Sequence, residues 1–352
     1  MSHRVAVLPG DGVGPEVVNE AVKAVEATGV EISWQVFDWG SDHYHRTGLM
    51  APEGFTDELE KHDAILMGAV GDPSVPDHVS LWGLLLPIRQ RLDLWANLRP
   101  ARLLEGVPGV LEGREPSEVD MLFVRENSEG EYSGVGGRAH EGMSHEVGLE
   151  TSVFTRAGLE RVLEHAFVLA ESRRGQVVSA TKSNASRYGY VLWDEVATET
   201  AERHPGVTYE RVLVDALAAR MISNPGSLDV VVASNLFGDI LTDIGAVIQG
   251  GMGVAASANL RPDRPDIGLF EPVHGSAPDI AGQGIANPVG GIWSAAMMLK
   301  HLGEDAAAAR VHEALASVCK SGPRTRDLGG SGSTVEVGDA VAAAVAAGTE
   351  SG

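Results

Sequence analysis

Short β-rich runs alternate with amphipathic helical stretches along this chain, and this alternation limits the fold more than any other feature of the sequence. Arg4 to Leu8 predict a buried strand, and Pro15 to Ala27 follow with apolar residues at helical spacing. Pro15 suits the first turn of a helix, where its missing N–H is not needed. The same alternation returns between residues 119 and 233. It predicts an α/β fold built on a mostly parallel sheet flanked by helices.

Chain length predicts two domains. The 352 residues exceed the ~150 residues typical of one domain, and either half can bury a core. The boundaries are expected at the segment 97–100, Asn-Leu-Arg-Pro, and at the glycine cluster 250–253. The first domain is then discontinuous, formed by residues 1–96 and 252–352, with residues 97–251 inserted into it as the second domain.

The charge balance excludes two classes of partner. Lys and Arg total 27 against 49 Asp and Glu, a formal net charge of −22, so neither nucleic acid nor a membrane is expected as a partner. The longest strongly apolar run, Leu81 to Ile88, is far shorter than the ~20 residues of a membrane span. One cysteine, Cys319, cannot form an internal disulfide, so a reducing cytoplasm is expected. An anionic substrate would need a local cluster of arginines or a metal ion.

Two aspartates in the segment 233–243, Ala-Ser-Asn-Leu-Phe-Gly-Asp-Ile-Leu-Thr-Asp, are the strongest candidates for metal binding. A helix should begin near Asn235, a favourable N-cap residue, which places Asp239 and Asp243 on one face. Like charges at this spacing cost an isolated helix ~0.2–0.5 kcal/mol, whereas Mg²⁺ or Mn²⁺ prefers such oxygen ligands. Taken alone, such a pair is more often a solvated acidic face. Asp215, at the end of a predicted strand, could be a ligand or a helix N-cap.

Other charged and polar residues could bind substrate or move protons. A guanidinium bonds a carboxylate in bidentate geometry, which makes three arginines candidates for binding a dicarboxylate: Arg89, Arg99 and Arg125. Surface salt bridges explain most arginines, so each alone is weak evidence. Tyr132 lies in a polar turn after a strand, which favours proton transfer over a core role. Lys182 also follows a strand, and a lysine beside a metal ion can act as a base. Each could instead be an ordinary loop residue.

The segment 271–282, Glu-Pro-Val-His-Gly-Ser-Ala-Pro-Asp-Ile-Ala-Gly, predicts a nucleotide-binding loop. It is too rich in Gly, Pro and small residues to form core, and it offers free backbone N–H groups. Asp279 could accept a hydrogen bond from a ribose hydroxyl, and its charge would repel a 2′-phosphate, which favours NAD over NADP. His274 could also be a structural histidine. The earlier turn Gly10 to Gly14 is not the Gly-x-Gly-x-x-Gly pattern and is weak evidence for nucleotide binding.

Seven stretches that span nearly the whole chain together resemble the metal-dependent β-decarboxylating dehydrogenases, the family of isopropylmalate, isocitrate and tartrate/D-malate dehydrogenases. They are PGDGVGPE (9–16), NLRPARL (97–103), VRENSEGEYSG (124–134), SATKSN (179–184), ASNLFGDILTD (233–243), EPVHGSAPDIAGQGIANP (271–288) and DLGGSGST (327–334). Their joint occurrence in family order is far more specific than any one of them. The resemblance implies a two-domain isocitrate/isopropylmalate dehydrogenase-like α/β fold with a discontinuous first domain, distinct from the usual Rossmann fold.

The resemblance also implies roles for residues already singled out. Substrate carboxylates are bound by three arginines: Arg89, Arg99 and Arg125. Tyr132 is the general acid and Lys182 the general base. Mg²⁺ or Mn²⁺ is held by three aspartates: Asp215, Asp239 and Asp243. Lys182 and Asp215 come from the second subunit of a homodimer with shared active sites.

NAD is the cofactor that the resemblance implies, held mainly by the loop 274–287. Its contacts are five residues: His274, Gly275, Ala277, Asp279 and Asn287. The pair Asp279-Ile280 resembles that of the NAD-using members. The sequence leaves a K⁺ requirement open.

Substrate choice within the family depends on the segment before Arg89, which reads DHVSLWGLLLPIR over residues 77–89. Isopropylmalate enzymes usually have a glutamate near the position of Trp82, and this segment resembles the tartrate/D-malate enzymes instead. A bulky Trp82 would fill space otherwise open to a γ-substituent, so a four-carbon 2-hydroxydiacid is the expected substrate. Pro87 is a misfit for a continuous helix through Arg89. Two alternatives remain: 3-isopropylmalate dehydrogenase, and a non-catalytic nucleotide-binding protein.

Overall fold

The computed structural model describes residues 2–349, and these form alternating strands and helices around one large mixed sheet. The strands in this range are β1 (His3–Gly10), β2 (Ile32–Val36), β3 (Ala64–Ala69), β4 (Ala96–Arg102), β5 (Asp120–Glu126), β6 (Gly130–Ala139), β7 (Val147–Val153), β8 (Gln176–Thr181), β9 (Thr208–Leu213), β10 (Val230–Ala233), β11 (Ala256–Leu260) and β12 (Gly268–Pro272). The α-helices are α1 (Gly14–Glu26), α2 (Ser41–Thr47), α3 (Phe55–Leu59), α4 (Asp77–Ser80), α5 (Leu86–Arg91), α6 (Arg156–Glu171), α7 (Gly189–Arg203), α8 (Val214–Ser223), α9 (Asn235–Ile248), α10 (Val289–His301), α11 (Asp305–Ser321) and α12 (Thr334–Thr349).

The large sheet is parallel on both sides and antiparallel in the middle. Its strand order is β2-β1-β3-β12-β11-β4-β5-β10-β8-β9, while β6 and β7 form a separate two-stranded ribbon. The antiparallel pairs are β12 with β11, β11 with β4, and β4 with β5. The other six pairs are parallel. The α/β class and the mostly parallel sheet are therefore confirmed, and the antiparallel centre is a feature that the sequence pattern did not predict.

Strand β4 was not predicted from the sequence, because it contains a proline. Proline cannot donate to a ladder and is normally confined to edges or strand ends. β4 nevertheless lies between two neighbours, and Pro100 is paired with Leu122 of β5. On the other side, the register with β11 runs only from Ala96 to Leu98 of β4. Pro100 lies beyond that register, so its missing N–H removes no ladder bond to β11.

One buried core runs through both predicted domains. The largest apolar cluster contains Val5 of β1, Phe270 of β12 and Val178 of β8, each fully buried. The sheet is likewise continuous, and the first expected boundary falls within β4. The division into residues 1–96 with 252–352 and residues 97–251 stays a prediction. Among residues 2–349, no helix combines the length and apolar composition needed to span a membrane.

The segment before Arg89 accommodates its proline by changing helix type. α4 runs directly into a π-helical turn at Leu81–Leu85, and α5 begins at Leu86 with Pro87 in its first turn. Leu85 and Leu86 both keep helical backbone angles, so the helix is continuous here, and the π-helical turn is where its hydrogen bonding changes ahead of a residue that has no N–H to donate. π-turns of this kind occur often at functional sites. The expected misfit at Pro87 is thereby resolved, and Arg89 is buried in α5.

Candidate active site

Residues from distant parts of the chain line one cavity of about 310 Å³, here called the front cavity. Its lining includes Leu81, Leu85, Leu86, Arg89, Arg99, Arg125, Tyr132, Asp239, Ser257, Glu271, His274 and Gly275. The three arginines predicted to bind carboxylates thus lie together, next to the predicted general acid and one predicted metal ligand. The arginines therefore concentrate positive charge at this cavity, in a chain whose formal net charge is −22.

Arg89 is anchored from one side and unpaired on the other. Its Nη2 donates to Glu271 Oε1 at 2.8 Å, an ion pair in which both side chains are buried. Its Nε is also buried and has no hydrogen-bond partner among residues 2–349. A buried donor without a partner costs about 1–3 kcal/mol. Arg89 lines the front cavity, so an anionic ligand bound there would meet its guanidinium group.

Arg99 is held by side chains on both of its flanks. Its Nε donates to Asn97 Oδ1 at 2.7 Å, and its Nη1 donates to Thr242 Oγ1 at 2.7 Å. Asp239 lies 3.6 Å from the same Nη1. Burial and the neighbouring Arg125 charge lower the pKa of the Arg99 guanidinium. An anion bound between the arginines would favour the charged form of the Arg99 guanidinium and so raise its pKa.

Arg125 at the end of β5 joins the sheet to helix α9. Its Nη2 and Nε donate to Asn235 Oδ1, at 2.7 and 3.1 Å, and its Nη1 forms an ion pair with Asp239. The helix approaches this closely because residue 238 is glycine: a Cβ there would lie 2.5 Å from Arg125 Cγ. Burial lowers the pKa of Arg125 more than the nearby Asp239 charge raises it.

Tyr132 is positioned to donate a proton. Its hydroxyl donates to Asp239 Oδ2 at 3.3 Å, and the Arg125 guanidinium lies 5.7 Å from its ring centre. Burial, and next the negative charge of Asp239, raise the pKa of the Tyr132 hydroxyl. The group therefore stays protonated at neutral pH, as a general acid must.

Two of the three predicted metal ligands share one face of α9. Asp239 keeps a pKa below its ordinary value, because the charges of the three arginines outweigh the effect of burial. Partial burial and the charge of Asp239 raise the pKa of Asp243. Two adjacent carboxylates suit a hard divalent cation. Within the described part of the chain, however, no three His, Cys, Asp or Glu side chains are placed to hold a metal ion together.

Lys182 and Asp215 lie outside the front cavity and pair with each other. Lys182 Nζ donates to Asp215 Oδ1 at 2.7 Å, and this bond lowers the pKa of the Asp215 carboxyl. Their side chains are 31% and 66% exposed. Asp215 was expected at the end of a strand; β9 ends two residues earlier, and Asp215 lies in the first turn of α8, where the helix dipole favours a carboxylate.

Trp82 does not line the front cavity. Its side chain is 44% exposed, and its ring lies against Gly134 of β6, close enough that a Cβ there would be 2.7 Å from the ring. Leu81, Leu85 and Leu86 form the wall of the cavity in this segment. The specificity role predicted for Trp82 stays a prediction.

The predicted nucleotide loop is held in place by the turn Gly10 to Gly14 and by Glu16 at the start of α1. Two of its backbone N–H groups, at Gly282 and Gly284, donate to the Glu16 carboxylate at 2.6 and 3.1 Å. Gly12, at φ +58°, allows Ser276 to approach so closely that a Cβ would lie 2.0 Å from its carbonyl oxygen. The Gly10 to Gly14 turn therefore supports the loop, a role that its sequence did not reveal.

Predicted NAD contacts lie along this loop. His274 and Gly275 line the front cavity, and His274 Nε2 is buried with no hydrogen-bond partner in the described range. Ala277 has φ +40°, an uncommon value for a non-glycine residue and one found often at ligand sites. Asp279 is exposed. Asn287 Nδ2 donates to Asp327 Oδ2 at 2.9 Å.

A buried polar network behind the arginines was missed by the sequence reasoning. Asn259 Oδ1 accepts from Asn97 and from Asn127, each at 3.0 Å, and Asn259 Nδ2 donates to Glu271 Oε1 at 3.0 Å. The network therefore links the anchors of Arg89 and Arg99. Polar residues at buried positions of predicted strands are the signal that could have revealed it, because such groups must find partners.

The described fold and site define a class of protein, and comparison with known sequences agrees. The chain belongs to the isocitrate/isopropylmalate dehydrogenase family, whose profile matches residues 4–341.

Individual relatives narrow the comparison. A probable tartrate dehydrogenase/decarboxylase of Agrobacterium vitis is 48% identical over 98% of both chains. The D-malate dehydrogenase [decarboxylating] of Escherichia coli strain K12 is 47% identical, over 96% of this chain and 97% of the relative. The solved structure of isocitrate dehydrogenase from Methylococcus capsulatus is 35% identical, with a TM-score of 0.90, over 98% of this chain and 99% of that one. The predicted family, its fold and the resemblance to tartrate/D-malate enzymes are confirmed.

Proposed function

We propose that the chain is an NAD- and divalent-metal-dependent enzyme that oxidises and β-decarboxylates a four-carbon 2-hydroxydiacid. D-malate would yield pyruvate and CO₂, and a tartrate is the second candidate substrate. The observation that carries the proposal is the front cavity, where three buried guanidinium groups meet a protonated tyrosine and an ionised aspartate. The names of the relatives from Agrobacterium vitis and Escherichia coli support the same substrate class.

The arginines would bind and orient the substrate. Arg89, Arg99 and Arg125 are at most 7% exposed, and each is held by a neighbouring side chain: Glu271, Asn97 and Asn235 respectively. Since the guanidinium groups are positioned before substrate arrives, little freedom is lost on binding. Burial, and next the charges of the neighbouring arginines, lower the pKa values of Arg99 and Arg125, and two carboxylates of a diacid would offset those charges.

Proton movement is assigned to two side chains. Lys182 would accept the proton of the 2-hydroxyl, and Tyr132 would return a proton to C3 after the β-carboxylate leaves as CO₂. Asp239 and Asp243 would hold Mg²⁺ or Mn²⁺ together with Asp215. When bound, NAD⁺ takes up hydride from C2 and the cation withdraws electrons from the oxygen on C2.

We further propose a homodimer in which Lys182 and Asp215 complete the partner's site. In this chain both lie outside the lining of the front cavity, which includes Asp239 but not Asp243, and no three His, Cys, Asp or Glu side chains among residues 2–349 are placed to hold a metal ion together. Apolar side chains are exposed on α8 and α9 and on the β6–β7 ribbon: Ile222, Ile240, Val247, Val147 and Leu149, each at least 49% exposed. We expect these side chains to be covered by the second subunit, because contiguous exposed apolar surface marks interaction sites.

Mixed dimers test this arrangement. Chains carrying Lys182→Met and Tyr132→Phe, with different tags, are co-expressed and the mixed dimer is purified. If the residues come from opposite chains, one site is intact and the mixed dimer has about half of wild-type activity. The matched control combines Lys182→Met with Asp215→Asn, which leaves no intact site. Activity no higher than that control would overturn the proposal.

Cofactor preference is proposed to follow from Asp279. Its carboxylate is exposed in the nucleotide loop, where it could accept from a ribose hydroxyl and repel a 2′-phosphate. The kcat/KM for NAD is expected to exceed that for NADP by at least about tenfold, and Asp279→Ala should narrow the difference. A preference that is unchanged in Asp279→Ala would contradict this assignment.

A substrate panel tests the function itself. NADH formation is measured with D-malate, L-tartrate and 3-isopropylmalate, with Mn²⁺ and with or without K⁺. D-malate or tartrate should give the highest kcat/KM. The apolar wall of Leu81, Leu85 and Leu86 is the one observation that favours the larger substrate, and a preference for 3-isopropylmalate would replace the proposal. NAD binding without turnover of any 2-hydroxydiacid would indicate the non-catalytic alternative. A cytoplasmic location stays a prediction.

A further inference from the structure

A second cavity lies on the opposite face of the strands that carry the arginines. Side chains alternate between the two faces of a strand, and this alternation separates the two cavities. Arg99, Arg125 and Glu271 point to the front cavity, whereas their neighbours Leu98 and Phe270 line the other one. The second cavity measures about 660 Å³ and is here called the rear groove.

The walls of the rear groove come from both predicted domains. Its floor is formed by Leu98, Leu122, Ala258, Leu260 and Phe270 of the four central strands. One wall is α6, through His165 and Leu169, and the other is α10 with α11, through Trp293, Met297 and His312. Residues of α6 belong to the predicted inserted domain, and α10 and α11 belong to the discontinuous one. A ligand in the groove would contact both.

The charged and polar side chains that line the rear groove indicate what kind of ligand it would bind. Lys300 and Arg102 line it, both exposed, and neither forms an ion pair within residues 2–349, whereas the other four lysines of the chain are all paired. Of the two aspartates in the lining, Asp120 is paired with arginines, and Asp305 is an exposed carboxylate at the start of α11. His165 Nε2 is buried without a hydrogen-bond partner among the described residues. Burial lowers the pKa of His165 to about 4, so this ring is neutral at pH 7.

We propose that the rear groove is an effector site for a small aromatic carboxylate. The volume is in the range of small-molecule sites, which combine apolar walls with a few polar groups. The apolar floor and Trp293 would cover a flat aromatic body, and the unpaired cations Lys300 and Arg102 would bind the carboxylate. Unpaired cations in a chain of net charge −22 make an anionic ligand the complementary one.

Occupancy of the rear groove should strengthen substrate binding. The two cavities lie on opposite faces of the central strands, and each is lined by both predicted domains, so we infer that a rotation of one predicted domain against the other that widens the front cavity would narrow the rear groove. A rigid aromatic ring between α6 and α10 resists that narrowing and thereby opposes opening of the front. By linkage, the effector and the substrate then each raise the affinity for the other. This coupling, unlike the binding itself, rests on the proposed function.

Calorimetry with 2-naphthoate tests the binding without using activity. The full-length wild-type protein should bind one equivalent per chain, and 2-naphthalenemethanol, which lacks the carboxylate, should bind at least about tenfold more weakly. Lys300→Glu should weaken 2-naphthoate binding about tenfold, and Ala309→Trp should block it by filling the groove. Lys61→Glu, an equal charge change on α3's flank, should leave binding unchanged.

Several results would overturn the site. They are no binding at millimolar 2-naphthoate, equal binding of the alcohol, or unaltered binding in both Lys300→Glu and Ala309→Trp. In a second arm, 2-naphthoate should lower the KM of the best substrate in wild type and not in Ala309→Trp. An unchanged or raised KM despite measured binding refutes the coupling alone, and a catalytically silent protein that still binds 2-naphthoate refutes the proposed function alone.

Discussion

The two groups of residues needed for the proposed reaction are held in opposite ways. The arginines of the front cavity are buried and anchored by a network that includes Glu271 and Asn97. Lys182 and Asp215 form a single exposed pair outside it. A buried network contributes to stability as well as to geometry, whereas an exposed pair contributes little to stability. Substitutions in the first group should therefore affect both activity and stability, and those in the second should affect activity alone.

Asp239→Asn should have the largest effect. It removes a proposed metal ligand and the counter-charge of Arg125, so kcat is expected to fall at least about 1,000-fold. The free energy of unfolding should fall by about 1–2 kcal/mol, because a buried guanidinium loses its partner. NADH formation with Mn²⁺ and urea unfolding measure the two effects. Asp339→Asn, an exposed carboxylate on α12, is the control. Full activity of the wild type or of Asp339→Asn in excess chelator would contradict the proposed metal-binding role of Asp239.

Lys182→Met should lower activity and leave the stability of the fold nearly unchanged. Loss of a general base lowers kcat by about 10²–10⁴-fold. The free energy of unfolding, measured with urea, should stay within about 0.5 kcal/mol of wild type, because the pair with Asp215 is solvent-exposed within the chain. Lys61→Met, at another exposed lysine, controls for the loss of a charge. A loss of stability as large as that of Asp239→Asn would contradict the expected difference between the two groups of residues.

Tyr132→Phe should slow turnover more than it changes stability. Without the hydroxyl that donates to Asp239, protonation at C3 should slow by about 100-fold, while oxidation slows less. Because oxidation precedes protonation, stopped-flow mixing with D-malate should show a fast burst of about one NADH per site, followed by slow steady-state turnover. A burst slowed as much as the steady-state turnover would refute the assignment of Tyr132 as the acid.

His204→Gln should have the smallest effect and lies outside both groups. Burial opposes protonation of His204, but its hydrogen bonds to Glu171 and Glu164, both at 2.8 Å, outweigh burial and raise its pKa. Its stabilisation is therefore complete below the unfolded pKa of ~6.5 and disappears as pH rises through the higher folded pKa. The variant should lose up to about 1 kcal/mol of stability at pH 5.5 and much less at pH 9, with activity unchanged. Equal losses at both pH values would contradict this.

Local patterns in the sequence predicted the elements that carry the site. Helix α9 begins at Asn235, close to the predicted start, so Asp239 and Asp243 share a face. The predicted N-cap role of Asn235 is wrong: the N-cap residue is Ser234, and the Asn235 side chain accepts from Arg125 instead. Arg125 lies at the end of the strand expected from residues 119 to 125. The positions of these elements were predictable because periodicity depends on residues only a few positions apart.

Contacts between distant segments were beyond that reasoning. Arg89 and Glu271 are 182 residues apart, and Asn97 meets Asn259 across 162 residues. Neither partner carries a local signal for the other, since a buried ion pair depends on which strands become neighbours. The central strand β4 was missed for the related reason that its proline is tolerated only through the register of its neighbour β11.

The amino-acid sequence by itself determined the alternation of strands and helices, the family resemblance and the chemical types of the site residues, because these are properties of short segments. Tertiary structure alone decided which side chains hold the three arginines at one cavity, and that Lys182 and Asp215 pair with each other outside it. It also decided that Trp82 lies against Gly134 rather than in the cavity wall. The physical reason is that burial and pairing depend on long-range strand order, which a residue's immediate neighbours do not specify.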